Sequence, residues 1–410
     1  VLGWVVNKKK YFLFISVLVV VFVVWLWKYS GWFDEISILN PLSSEHLEST
    51  KKEKYEVVGF LPPWMINKVN LHPKQLDQLI FLGVGVEENG DLVWDFQAKK
   101  INSEKYLIMK KEMRENEKKN VIGIKLFDDE KLSVLLKSKE RRKNLIEQIK
   151  AMVLSGGFDG VNIDFEYQKD PLAILGTDFL IFLDELKEAE IGEIGVDVFC
   201  NTIIKGPVMQ ISDLLEKVDW LIVMAYDFHR PGVDYTGSVA PIKAGVGERS
   251  IWEVVSKLTE SDLDRKKILM AYPLYGYEWK TRTEKLNSEI IRGWYQMASY
   301  KRVMEMIYDR NYWQAGLGFK IYDLRKSNCD DFRNLNDNEM KLCFDELSLT
   351  PWLVFRENEE IHQIYYDDFD SLSIKINLVE EVGFGGTGFW ALGYEGEADE
   401  IWKIFEKVLK

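Results

Sequence analysis

The sequence predicts an α/β protein built on a parallel sheet, and three observations lead there. Eight strand-like runs, at 57–61, 79–86, 121–127, 158–166, 194–200, 220–226, 268–272 and 386–392, recur between amphipathic helical stretches. Between the third and fourth runs, Leu145, Ile146, Ile149, Met152 and Val153 fall at helical spacing, with Arg141, Arg142, Lys143 and Lys150 elsewhere on the cylinder. Gly156 and Gly157 then stop that helix, and a strand follows, which makes one αβ unit. Alternation of strands and helices is compatible with a closed barrel or an open, doubly wound sheet. A count of eight strands favours the barrel.

The fourth run carries the chemistry. Val161, Ile163 and Phe165 alternate with Asn162, Asp164 and Glu166, so one face of the strand is apolar and the other polar. Same-face residues sit roughly 6.5–7 Å apart along a strand. With helices covering the apolar face, the polar row must line something enclosed. In parallel barrels the C-terminal strand ends are the usual catalytic positions. A polar ladder that only stiffens the core is the bland alternative. It is disfavoured because buried carboxylates cost several kcal/mol unless compensated.

The stretch 159–166, Asp-Gly-Val-Asn-Ile-Asp-Phe-Glu, resembles the signature of glycoside hydrolase family 18, Asp-x-x-Asp-x-Asp-x-Glu on the fourth strand of a (β/α)8 TIM barrel. It departs at Asn162, where chitinases have the middle Asp. The departure is similar to a subgroup that includes bacterial spore-cortex glucosaminidases. Other blocks fall in the family's order: WLIVMAYD at 220–227, GSVAPI at 237–242, LMAYPLYGYEW at 269–279 and GTGFWALG at 386–393. Tyr366-Asp367-Asp368, with Ser371 and Lys375, resembles the segment before the last strand. The likeness covers about residues 55–410 and turns the choice of sheet into a barrel.

What the resemblance implies is a retaining glycosidase for β-1,4-linked N-acetylglucosamine polymers, peptidoglycan ahead of chitin. Glu166 is the acid that protonates the leaving oxygen. The nucleophile is the sugar's own 2-acetamido oxygen, a substrate-assisted route that sets this family apart from two-carboxylate retaining enzymes. Asp164 orients and charge-balances the acetamido nitrogen, and is expected to raise the pKa of Glu166 as its like-charged neighbour. Tyr226 holds the acetamido carbonyl. Asp227 contacts the sugar, and Trp390 floors the reacting ring. Asp159 and Asn162 of the motif join the substrate-binding set. Tyr275, Tyr277 and Glu278, at the mouth of the seventh strand, are candidates to line the cleft. Trp64, after Pro62-Pro63, is a sugar platform or a loop anchor. Asn162 cannot exchange a proton with Asp164, so Asp164 is expected to stay turned toward Glu166. The alternative function is a sugar-binding lectin of the envelope that keeps the barrel without chemistry.

Composition bounds the rest. A net charge of −13 argues against a nucleic-acid partner. Four scattered histidines offer no ligand spacing, so neither a metal nor another cofactor is expected. Of three cysteines, Cys200 reads as a buried hydrophobe. Cys329 and Cys343 share one polar insertion and are either paired or free. Lys8, Lys9 and Lys10 precede an apolar run at 11–27. At 1.5 Å per residue the run spans about 25 Å, enough with its flanks for a bilayer, and the charge bias keeps the N-terminus in the cytoplasm. The expected organisation is an anchor at 1–30, a polar linker at 31–54 and a barrel at 55–410, carrying an α+β insertion at 280–383. The catalytic part then lies outside the cytoplasm as a monomer. A cleaved signal peptide is the alternative, but the run is long for one and small residues appear only at Ser30-Gly31.

Overall fold

The computed structural model describes residues 55–308 and 318–408. The expected anchor at 1–30 and linker at 31–54 lie outside the described residues. Among the described residues, no helix is long and apolar enough to cross a membrane.

The chain builds β1 (Glu56–Leu61), β2 (Gln78–Val86), the short β3 (Leu92–Val93), β4 (Lys119–Leu126), β5 (Gly160–Phe165), β6 (Glu193–Phe199), β7 (Trp220–Met224) and β8 (Ile268–Pro273). It then leaves for an inserted sheet of β9 (Tyr275–Thr281), β10 (Ile290–Ser299), β11 (Lys320–Asp323), β12 (Glu339–Asp345), β13 (Thr350–Glu357) and β14 (Glu360–Tyr365). It returns as β15 (Gly386–Trp390). Strands β1, β2, β4, β5, β6, β7, β8 and β15 pair in parallel in that order, and β15 pairs back with β1. Closure is direct: Val58 lies opposite Gln78 on one side and Gly388 on the other. The eight strands therefore form a closed barrel, and β3 adds a two-residue antiparallel edge to β2.

The unit around β5 folds for the reasons visible in its residues. The preceding helix, Lys139–Gly156, stops where Gly157 takes a left-handed φ of 62°, a conformation that its missing Cβ permits. Val161, Ile163 and Phe165 then face the helical layer. Phe165 packs on Phe179 and Phe182 of the helix Thr177–Glu188, with ring centroids 6.3 and 5.7 Å away. The other face of β5 turns into the barrel. Part of that interior is apolar, with Val58, Phe60, Ile80, Leu82, Val121, Ile222, Leu269 and Ala271 in one cluster. Burying these side chains is worth about 1.5–3 kcal/mol for each large aliphatic or aromatic group.

The inserted sheet has the order β10-β9-β14-β13-β12-β11, antiparallel except between β11 and β12. Its helix, Tyr300–Tyr308, packs Val303, Met306 and Ile307 against Met340, Leu342, Leu353, Phe355 and Ile364. Cys329 and Cys343 are joined by a disulfide, their Cα atoms 5.9 Å apart, which closes the question left open above. The sheet starts at Tyr275 and ends at Tyr365, earlier at both ends than the expected 280–383. Only Leu274 separates it from β8. The helix Phe369–Glu381 belongs to the barrel, because its Leu372, Ile376 and Val379 are buried in the barrel's main core.

Candidate active site

Parallel pairing brings the C-terminal ends of all eight barrel strands to one rim, and the chemistry-bearing residues gather there. A cavity of about 520 Å³ opens at this rim. Asp164 and Glu166 come to it from β5, and Tyr226 and Asp227 from the end of β7. Trp390 comes from β15, Trp64 from the loop after β1, and Tyr275 and Tyr277 from β9 of the insertion. Eight of the eleven residues singled out in the sequence thus line a single space.

Glu166 sits half-buried just past β5 and accepts a hydrogen bond from Gln168 Nε2. Burial pushes its pKa up to about 7, with the Asp227 carboxylate adding to the effect and Gln168, Arg230 and Lys125 working against it. Asp227, brought from another strand, is thus a like-charged neighbour of Glu166. Glu166 in turn acts on Asp164. That carboxyl is 4% exposed, and its Oδ1 has no hydrogen-bond partner among the described residues. Burial raises its pKa well above the usual range, and Asp197 and Glu166 raise it further.

Tyr226 holds its phenolic proton firmly. Burial comes first, then the carboxylates of Asp197, Asp164, Asp227 and Glu166, all pushing its pKa up. It is a standing hydrogen-bond donor among these four carboxyl groups. Asp227 adopts φ 61°, a left-handed backbone that Asp tolerates better than most residues. Its Oδ1 accepts from the Tyr275 hydroxyl at 2.5 Å and from the Tyr277 hydroxyl at 3.2 Å. Burial raises its pKa while these two bonds favour the anion. Trp390 is half-buried, 6.1 Å from the Phe60 ring, and the Trp390–Ala391 peptide is cis. Trp64 is 41% exposed at the mouth, with Lys125 Nζ 5.9 Å from its ring.

Three expected substrate-binding residues lie elsewhere. Asp159 precedes β5, about 16 Å below Asp164 at ~3.3 Å per residue, at the opposite end of the barrel. There its Oδ2 accepts from the backbone N–H of Asn120 at 2.7 Å. Asn162 is fully buried one inward position beneath Asp164, and its Nδ2 donates to Asp197 Oδ2 at 2.7 Å. It supports the site from below and does not line the cavity. Glu278 follows Tyr277, so the strand's alternation turns it to the other face of β9. It is 2% exposed, paired with Arg302, and 2.7 Å from His362 Nδ1. Glu278 belongs to the core of the insertion.

Among the lining residues not singled out in the sequence are the polar or charged Lys125, Gln168, Asp197, Asn201, Arg230 and Arg249. Lys125 and Asp197 left a signal, each a lone charge at an alternating position of an apolar strand. Gln168 and Arg230 sit in loops, where nothing in the local pattern marks them.

A protein-family model described as Glycosyl hydrolases family 18 matches residues 56–395. Among curated proteins, a "Probable endochitinase" of Caenorhabditis elegans is 25% identical over 275 residues, 63% of this chain and 40% of that protein. A "Cortical fragment-lytic enzyme" of Bacillus subtilis is 22% identical over 274 residues, 65% of this chain and 54% of that protein. The chain therefore spans about half the length of these curated relatives. Among solved structures, the Ostrinia furnacalis Group IV chitinase in complex with allosamidin superposes with a TM-score of 0.69 at 16% identity, covering 87% of this chain and 99% of that one. That likeness establishes the shared fold. With the family model covering most of the barrel and the motif residues converging on its rim, the chain belongs to glycosyl hydrolase family 18.

Proposed function

We propose that the protein is a glycosidase that cleaves β-1,4-linked N-acetylglucosamine polymers with retention, using the substrate's acetamido group as nucleophile. The observation that carries this is the convergence of Asp164, Glu166, Tyr226 and Asp227 on one cavity beside Trp390. Glu166 is a proton donor suited to neutral pH, because a general acid works best with a pKa near the working pH. Its proton goes to the glycosidic oxygen as the bond to the anomeric carbon breaks. The acetamido oxygen attacks that carbon from the other side, giving an oxazolinium ion. Tyr226 donates to the acetamido oxygen and aligns it. Asp164 accepts from the acetamido N–H and balances the positive charge. Glu166, now a carboxylate, then takes a proton from the incoming water. Asp227 binds the sugar, and the Trp390 face lies under its apolar side.

The relatives whose names refer to chitin and to cortical fragments support an N-acetylglucosamine polymer as substrate. Asn162 and the apolar run at 11–27 favour peptidoglycan over chitin as the natural polymer. A role in sugar binding alone has no use for a carboxyl kept protonated near neutral pH. We further place the barrel outside the cytoplasm, tethered through residues 11–27. The Cys329–Cys343 disulfide supports an oxidising compartment. The test is to incubate the protein with peptidoglycan and with chitin oligomers and weigh the products by mass spectrometry. Products shortened by whole N-acetylglucosamine-containing units are expected, and no product from either substrate would remove the proposal.

A further inference from the structure

Resting on the glycosidase reading above, we propose that Asp197 is a positioning residue that shares one proton with Asp164 across adjacent strands. The motif lacks a carboxyl at Asn162, and β6 provides one instead. The register shows how. Asn162 lies opposite Gly195 and Ile163 opposite Val196, so Asp164 and Asp197 occupy the next matched position. Both line the cavity. Neighbouring strands run about 4.8 Å apart, so the two carboxyls stand within reach of one proton.

The surroundings hold Asp197 in that role. It is 3% exposed, and its Oδ2 is taken by the Asn162 amide at 2.7 Å. Its Oδ1 has no hydrogen-bond partner among the described residues, and neither has Asp164 Oδ1. Each carboxyl therefore has one buried oxygen left for the other. Gly195 makes the arrangement possible: a Cβ there would come within 2.6 Å of Asn162 Oδ1, displacing the amide that anchors Asp197. The charged and titratable groups facing the pair are Glu166 from their own rim, Lys125 from β4, and Tyr226 and Asp227 from the end of β7. Of these, Lys125 favours the Asp164 anion, while Glu166 opposes ionisation of both carboxyls. Two buried carboxyls so placed cannot both ionise readily, and one proton stays between them. Burial raises the pKa of each well above the usual range, with the partner carboxylate adding to the shift on Asp164.

The step this allows is a plain proton transfer. An O–H bond on Asp164 breaks and an O–H bond on Asp197 forms. Asp164 is left anionic as it accepts the acetamido N–H and faces the oxazolinium charge. The proton returns when product leaves, and no co-reactant is consumed. Asn162 cannot take part, since an amide holds no acidic proton at these pH values. Asp164 therefore need not stay turned toward Glu166, as the lack of a carboxyl at Asn162 led us to expect.

Two measurements on the full chain test this. The first follows the C=O stretch of protonated carboxyls by infrared difference spectroscopy across pH, in the unsubstituted protein, in Asp164→Asn and in Asp197→Asn. Removing either carboxyl removes the repulsion felt by the other, so the same late deprotonation step should move to lower pH in both variants. If Asp197→Asn leaves that step where it was, the pair shares no proton and the inference is overturned. This readout needs no turnover, so it decides the matter even for a protein that cleaves nothing. The second uses cleavage of N-acetylglucosamine oligomers. Asp197→Asn should lower kcat about tenfold or more with little change in KM, in the range of a lost proton-transfer partner. The exchange variant Asn162→Asp with Asp197→Asn keeps the hydrogen bond and restores a carboxyl beside Asp164, and should recover most of kcat. An unchanged kcat and pH profile in Asp197→Asn would equally overturn the inference. An inactive unsubstituted protein would instead count against the glycosidase proposal itself.

Discussion

Tyr275 donates its hydroxyl proton to Asp227 Oδ1 at 2.5 Å, tying the first strand of the inserted sheet to the loop that leaves β7. The insertion is thus more than a wall beside the cleft. Through Tyr275 and Tyr277 it favours the charged form of Asp227, and Asp227 in turn raises the pKa of Glu166. The acidity of the proposed acid is set partly by a segment that is not in the barrel.

That chain of influence gives a signed pH prediction. Cleavage needs protonated Glu166, so kcat/KM should hold at acid pH and fall as pH rises through about 7. Asp227→Asn removes the like charge, lowers the Glu166 pKa and moves the alkaline limb to lower pH. Arg230→Gln removes a charge that favours the carboxylate and moves the limb upward. Profiles of kcat/KM against pH for the three proteins check this. Shifts of both variants in the same direction would show that Glu166 does not govern the limb.

Glu166→Gln keeps the shape of the side chain and the hydrogen-bonding amide in place of the acid. Turnover should drop by about 10²–10⁴-fold or more, the usual worth of a positioned general acid. Binding of N-acetylglucosamine oligomers, measured by calorimetry, should stay largely intact. A variant that cleaves at the unsubstituted rate places the acid elsewhere.

Much of this was legible because barrels announce themselves through period and punctuation. The alternation in 158–166 revealed which face of β5 turns inward, and Gly157 marked the end of the helix before it. Glu166 stood out as the polar end of an alternating strand, while Tyr226, Asp227 and Trp390 were picked because their blocks resemble the family's strand-end motifs. Alternation gives the face but not the depth, which is why Asp159 and Asn162 were placed at the cavity when one lies at the far end and the other beneath it. Glu278 failed for the opposite reason: β9 belongs to the insertion, whose faces the barrel pattern does not reveal. Asp197 was overlooked because its meaning depends on a partner from another strand, and cross-strand register is not written in either strand alone.

The disulfide should matter to the insertion more than to the barrel. Cys329 and Cys343 close a 14-residue separation, for which the loop-entropy model gives about 3 kcal/mol. Replacing both by Ser should lower the unfolding midpoint in urea. Limited proteolysis should then cut first in the insertion, between β9 and β14. An unchanged midpoint and cleavage pattern would mean that sheet packing alone holds this segment.

Stability should also depend on pH through Glu395, which is 1% exposed and accepts from the Gly393 N–H at 2.7 Å. Burial raises its pKa from the usual 4.5 to about 7. A carboxyl with a raised folded-state pKa contributes stability that is full below its unfolded value and is lost as pH rises through the folded one. Glu395→Gln should therefore flatten the fall of Tm between about pH 5 and pH 8, measured by thermal unfolding. A slope equal to that of the unsubstituted protein would show that other groups carry the dependence.

The proposed reaction depends on the substrate's acetamido group, rather than Asp164, attacking the anomeric carbon. Two displacements follow on that route, first by the acetamido oxygen and then by water, so the configuration is retained. A carboxylate nucleophile would also retain configuration, so the direct test is an oligomer whose 2-acetamido groups are replaced by hydroxyls, incubated beside its N-acetylated counterpart. The N-acetylated oligomer should be cleaved with the β-anomer seen first by proton NMR, and the oligomer lacking the acetamido groups should not be cleaved. Cleavage of both at similar rates, or a glycosyl ester trapped on Asp164, would show that the side chain forms the intermediate.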